Sequence, residues 1–342
     1  MKSFKIAIGI NIQEGPWGGV NPAGKAISSF LRDKGWEVVY NLSDPDIDLI
    51  LLICPRENSQ SSSFNDKDIL KYLIFKNPNA IVVHRINECD ERKRTTDVNK
   101  RLIEANYVAD HTVYISSWLK DLFKTHGIED KPYSVILNGG DINIFNRKGS
   151  SIQSDGEKLK LVTHHWGANY LKGFDIYTRL DKLFNYSTYS DKFEFTYIGN
   201  MPDDIKFRNT KCISPKSGED LTMELKKNHV YLTASQNEPA GMHHIEGALC
   251  GLPLLYRESG ALPEYCKGYG ISFTFENFEE KLNEMLVQYD SFKNKMDSYS
   301  HNSEKMCVGY YNVFIKLLEN REDVIKKRHL YRKPLHVLKK LF

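Results

Sequence analysis

The chain has 342 residues, 41% of them hydrophobic and 12% aromatic, enough to build two domains of ordinary size, each with its own core. With 47 Lys and Arg against 44 Asp and Glu, the formal net charge of +3 is too small for the general nucleic-acid surface that a strongly basic chain offers. The six cysteines, at 54, 89, 212, 250, 266 and 307, form no CxxC pair and have no histidine at metal-ligand spacing, so a reduced, cytoplasmic chain is expected.

The amino-terminal apolar run stops at Asn11, and no later window approaches the length of a membrane span; neither a signal peptide nor a spanning helix is expected. Residues 4–12 (FKIAIGINI) read as a buried strand, 13–22 as a Gly/Pro loop containing Gly18 and Gly19, and 23–35 as an amphipathic helix stopped by Gly35. Strands follow at 37–42 and 48–54, a helix at 66–76, and a strand in AIVVHRI, where His84 ends the AIVVH run and a polar loop, RINECDERKR, begins. A helix (97–109), a strand (111–117) and a helix (117–127) complete the alternation, and VILNGGDINIF closes the first half. Strand and helix in turn predict a doubly wound parallel sheet that binds ligands outside the carboxyl ends of its strands. The polar, Gly/Ser-rich RKGSSIQSDGEK is a hinge, giving domains at 1–148 and 155–304.

The second half repeats the pattern. KLKLVTHHW, FEFTYIGN and KCISP read as strands, 173–184 and 218–228 as helices, and HVYLTAS as the strand that feeds Glu238. From there NEPAGMHHIEGALCGLP has the form loop, helix, then a further strand, LPLLYRE. A helix opening after such a loop aims free N–H groups and the positive end of its dipole at one spot, which suits a diphosphate. Gly241 permits close backbone approach, and Met242, His243 and His244 supply the N–H groups of the first turn. Glu246 lies roughly 7 Å along the axis and leans back toward the amino terminus. In that position it can accept ribose hydroxyls, while Glu238 holds hydroxyls of whatever the diphosphate carries. The plainer alternative is a capped amphipathic helix burying Met242, Ile245 and Leu249, with two incidental acids.

An acid, seven residues, a second acid and then Gly251-Leu252-Pro253 resemble the signature of retaining glycosyltransferases of the GT-B fold, the large group called family four or group one. The resemblance implies an α/β protein with two doubly wound Rossmann-like domains facing an interdomain cleft, a carboxy-terminal helix within 305–342 packing back on the first domain, and the transfer of a hexose from a UDP- or GDP-sugar onto a hydroxyl of a glycan or lipid-linked glycan, as in polysaccharide biosynthesis. It assigns Gly18 and Gly19 to donor and acceptor approach, although the pair is also an ordinary turn. His84 would reach the donor sugar, or else is a strand-end histidine held by Glu88 or Asp90. Lys172, before Gly173, would grasp the diphosphate, or else is a solvated helix-start lysine. The family's Arg position is Gly167 here, leaving His164, His165 or Asn169 as replacement donors. GALPEYC matches the family's Gly-Gly-x-Pro-Glu stretch through Gly260, Pro263 and Glu264.

No metal ion and no further cofactor are expected, because the helix dipole and Lys172 supply the positive charge. Glu238, His84 and Lys172 are the candidate catalytic residues. The tail, KKRHLYRKPLHVLKKLF, either touches an anionic membrane peripherally on its cytoplasmic face or is a solvated basic end. Two other functions fit the same residues: an epimerase or phosphorylase on this plan, and a non-catalytic nucleotide-sugar or glycan-binding protein.

Overall fold

The computed structural model describes residues 3–12, 20–57, 59–328, 330 and 337; Gly18 and Gly19 lie outside them, as does most of the basic tail. The chain divides into two compact units. One comprises residues 1–90, 94–137 and 304–342; the other comprises 138–303 together with 91–93. The change of unit falls between Leu137 and Asn138, ahead of the Gly/Ser-rich hinge on which the sequence reading set it, so that the NGGD turn groups with the second unit.

The first unit is built on a six-stranded parallel sheet of order β2-β1-β3-β4-β5-β6, with β1 at Lys5–Ile8, β2 at Glu37–Val39, β3 at Leu49–Leu52, β4 at Ile81–Ile86, β5 at His111–Tyr114 and β6 at Tyr133–Val135. Its central strands are largely apolar because helices cover both faces, β4 carrying His84 and Arg85 as well. Ile6, Ile8, Leu49, Leu51, Ile81 and Val83 point into one core and Ala7, Ile50, Leu52 and Val82 into the other, the period-two alternation of a strand. The helix Ser303–Glu319 returns to the first of these cores through Met306, Cys307, Tyr310, Phe314 and Leu318, a stripe at helical spacing. Tyr310 accepts a hydrogen bond from Arg85 Nε at 2.9 Å, and Arg328 clasps Asp110 at 2.6 Å, tying the end of the described chain to this sheet.

The second unit carries another six-stranded parallel sheet, of order β12-β11-β10-β7-β8-β9: β7 at Leu159–His165, β8 at Phe193–Gly199, β9 at Lys211–Ile213, β10 at Val230–Thr233, β11 at Leu254–Arg257 and β12 at Gly270–Phe273. The chain starts in β7, winds outward through β8 and β9, then returns to the other side of β7 with β10. The winding direction therefore reverses between β7 and β10, and the loops leaving their carboxyl ends diverge to opposite faces. That topological switch point is where open α/β sheets hold ligands. Among the described residues, no helix is long and apolar enough to cross a membrane.

Candidate functional site

Two loops flank the switch point, 166–173 after β7 and 234–241 after β10. Gly173 has φ +107°, and a Cβ there would lie 2.5 Å from the Ala234 Cβ, so only glycine lets the loops meet this closely. The meeting brings Lys172 Nζ to 2.5 Å from Glu238 Oε2. Asn237, just before the acid, holds the left-handed φ of 50°, and the Glu238 carbonyl accepts the Ala261 N–H at 2.8 Å, so the acid's backbone is fixed from both sides.

Glu238 is only 3% exposed. Burial pushes its carboxyl up, but the Lys172 ammonium, with Arg92 Nε 3.7 Å away, outweighs that and holds it down at about 2. Burial likewise pulls the Lys172 ammonium below its ordinary value, against the opposing pull of Glu238. The pair is therefore an ionised contact inside the protein, and the ammonium keeps two further N–H donors beyond the one facing Glu238.

The helix Met242–Leu249 starts one residue after Gly241, with no side chain capping its first turn and no acid within that turn. Its leading N–H groups are thus unanswered by any cap, next to Lys172 and Glu238. Gly241 is tightly enclosed: a Cβ would sit 2.3 Å from the His243 ring, which would have to move. Further along, Gly247 lets the helix lie on the Tyr231 ring, where a Cβ would come within 2.2 Å. That close packing sets the depth of the neighbouring Glu246, whose Oε2 lies 2.8 Å from His164 Nε2.

The two histidine side chains of the first turn point inward. His243 Nε2 is 2.9 Å from Thr233 Oγ1, and burial keeps its imidazole neutral. His244 is 0% exposed and stands edge-on to Tyr265, and burial drives it down to about 3. What these residues offer a ligand is their backbone. Of the three groups considered as stand-ins for an arginine at Gly167, His165 contacts the Tyr177 hydroxyl at 2.9 Å and Asn169 caps the Leu171 N–H at 2.8 Å; His164 alone of the three reaches Glu246.

His84 lies inside its strand. β4 continues past it through Arg85 to Ile86, and the ring is 0% exposed, with Nδ1 3.0 Å from Asn106 Oδ1. The long buried run hid where the strand stopped. Glu238, Lys172, Gly241, Met242, His243, His244 and Glu246 are brought together in the second unit, whereas His84 belongs to the first. Tyr231, which the sequence did not single out, lies at the centre of the polar contacts beneath Glu246. Its signal was a tyrosine in an otherwise apolar buried strand, whose hydroxyl must find a partner. Among the described residues, no group of three or more His, Cys, Asp or Glu side chains is placed to hold a metal ion.

No family model matches the chain, and no curated protein matches it by sequence. Solved structures do match it. Its two wound sheets with flanking helices are those of GT-B glycosyltransferases. A glycosyltransferase from Rickettsia africae ESF-5 superposes with a TM-score of 0.67 at 12% identity, over 94% of this chain and 100% of that one. HepE from Anabaena, solved with UDP, gives 0.66 at 13% identity over 92% and 100%. The catalytic domain of starch synthase IV from Arabidopsis thaliana, bound to ADP and acarbose, gives 0.66 at 10% identity over 93% and 100%.

Proposed function

We propose that the protein is a retaining glycosyltransferase, which moves a sugar from a nucleoside diphosphate sugar to a hydroxyl of a glycan or lipid-linked glycan. The observation that carries this reading is the Lys172–Glu238 contact, set with Glu246 around an uncapped helix amino terminus at the switch point of the second sheet. The diphosphate would lie on the first-turn N–H groups of Met242–Leu249, with the two remaining donors of Lys172 beside it. Glu246 would take the ribose hydroxyls, and Glu238 those of the sugar.

As the bond from the anomeric carbon to the diphosphate oxygen breaks, negative charge grows on the leaving group. The helix terminus and Lys172 are already aimed at that charge, so they stabilise the transition state more than the bound donor. The acceptor hydroxyl adds to the anomeric carbon from the face the diphosphate leaves, and its proton passes to the departing phosphate oxygen. Glu238, already an ion-pair partner, positions the sugar and is not assigned as a nucleophile. No step in this scheme calls for a metal ion. A cytoplasmic location with peripheral membrane contact through the basic tail accompanies the lipid-linked acceptor.

The reading is tested by incubating the protein with UDP-, GDP- and ADP-sugars against a panel of glycan and lipid-linked acceptors. Free nucleoside diphosphate should appear only when an acceptor is supplied, with the anomeric configuration of the donor kept in the product. Release without acceptor would point to hydrolysis, and inversion would remove the retaining assignment.

One observation favours a non-catalytic binding protein, the glycine at 167 where the resembling enzymes carry an arginine. Gly167 is open, with nothing within 4 Å of a Cβ built on it. The Gly167→Arg variant should therefore fold normally and bind a nucleoside diphosphate roughly 10-fold more tightly, the worth of one added charge-assisted contact. Unchanged affinity in calorimetry would mean that the diphosphate does not lie beside this loop.

A further inference from the structure

We propose that His164, held by Tyr231, is the positioning residue that presents Glu246 to the ribose of a bound nucleotide, an inference that rests on the nucleotide reading above. The Tyr231 hydroxyl, at the centre of β10, lies 3.0 Å from both His164 Nδ1 and the His164 backbone N–H, and Nε2 of the same ring lies 2.8 Å from Glu246 Oε2. In the tautomer that serves the carboxylate, Nε2–H donates to Glu246 Oε2, and Nδ1 accepts from the Tyr231 hydroxyl, whose oxygen in turn accepts the His164 backbone N–H. One oxygen of Glu246 is thereby fixed, and Oε1 is left to accept hydroxyls.

The relay is rigid by construction. Tyr231 is fully buried, its ring is pinned by Gly247, one residue beyond the acid, and the His164 ring stands edge-on to it. A glutamate on a helix ordinarily keeps several rotamers, and freezing one before the ligand arrives removes that cost from binding. The arrangement joins strand to helix across 82 residues of sequence, and its product is specificity for a ribose diol and not simple tightness.

The readout is the ratio of affinities for UDP, ADP or GDP and its 2′,3′-dideoxy counterpart, measured by calorimetry on the whole chain. The natural protein should prefer the ribose form by roughly 10- to 100-fold. Glu246→Ala should abolish that preference, and His164→Ala should reduce it to about threefold or less, with the dideoxy affinity unchanged. His164→Gln, whose amide reaches the same place as Nε2, should restore most of it. Tyr231→Phe keeps the ring under Gly247 and should also lose most of the preference, which leaves a test should His164→Ala fail to fold. A merely structural role would weaken both ligands together and leave the ratio intact. A preference lost in Glu246→Ala but kept in His164→Ala and Tyr231→Phe would overturn the inference and spare the nucleotide site. A preference kept in Glu246→Ala, or no binding by any of the three nucleotides, would overturn both.

Discussion

Lys172→Ala is expected to destabilise the protein by about 3–5 kcal/mol and to slow sugar transfer by roughly 10²- to 10³-fold. The stability loss comes from what is left behind. Glu238 is nearly sealed from water, and its carboxylate would keep only Arg92, at 3.7 Å, in place of an ammonium at 2.5 Å. Replacing both members, as in Lys172→Met with Glu238→Gln, removes the stranded charge and should recover most of the stability, because a buried ion pair has little net worth over a neutral pair of similar size. Transfer should not recover, since the positive charge beside the leaving diphosphate is still missing. Denaturant midpoints set beside the rate of nucleoside diphosphate release separate the two effects. A double variant that regains activity would remove Lys172 from the chemistry.

The same pair contributes to the acid limb. The folded-state pKa of Glu238, about 2, lies below the ordinary 4.5. Its contribution is therefore complete above about pH 4.5 and is lost as the pH falls through about 2. A gap of that size corresponds to about 3 kcal/mol, against which works the burial that lowers the Lys172 ammonium. In Glu238→Gln the fall in melting temperature across this window should be visibly shallower than in the natural protein.

The architecture was legible in the sequence for a physical reason. Parallel strands buried on both faces are largely apolar, so LILL in β3 and VYL in β10 stand out between amphipathic helices. The loop that opens the helix Met242–Leu249 was legible as well, because glycine and proline mark the places where backbone must approach closely. What could not be read was adjacency. Nothing local says that β7 lies beside β10 and not beside β9, yet that neighbourhood sets Lys172 against Glu238 across 66 residues and His164 against Glu246 across 82. For the same reason the contact of His84 with Asn106 could not be read, because Asn106 comes from beyond the next helix. The unit boundary was set at the most polar linker, whereas the chain changes unit earlier, at the NGGD turn, where Gly139 lies so close to the Asn302 carbonyl that a Cβ would overlap it.

The second large effect is expected at Glu246, and it tests the central claim of a nucleotide site at the switch point. Its side chain is 15% exposed and its carboxylate meets His164 through one oxygen, so shortening it to alanine gives up that contact and a modest part of the packing, and the variant should still fold, with stability lowered by about 1–2 kcal/mol. The lost contacts to two ribose hydroxyls are each of the charge-assisted kind, and together should weaken binding at least 10-fold and up to roughly 100-fold. The measurement is calorimetric titration of UDP, GDP and ADP into the natural protein and into Glu246→Ala. The account predicts that one of the three binds the natural protein and loses that affinity in the folded variant. Equal affinity in both proteins, or no binding of any of the three, would contradict it.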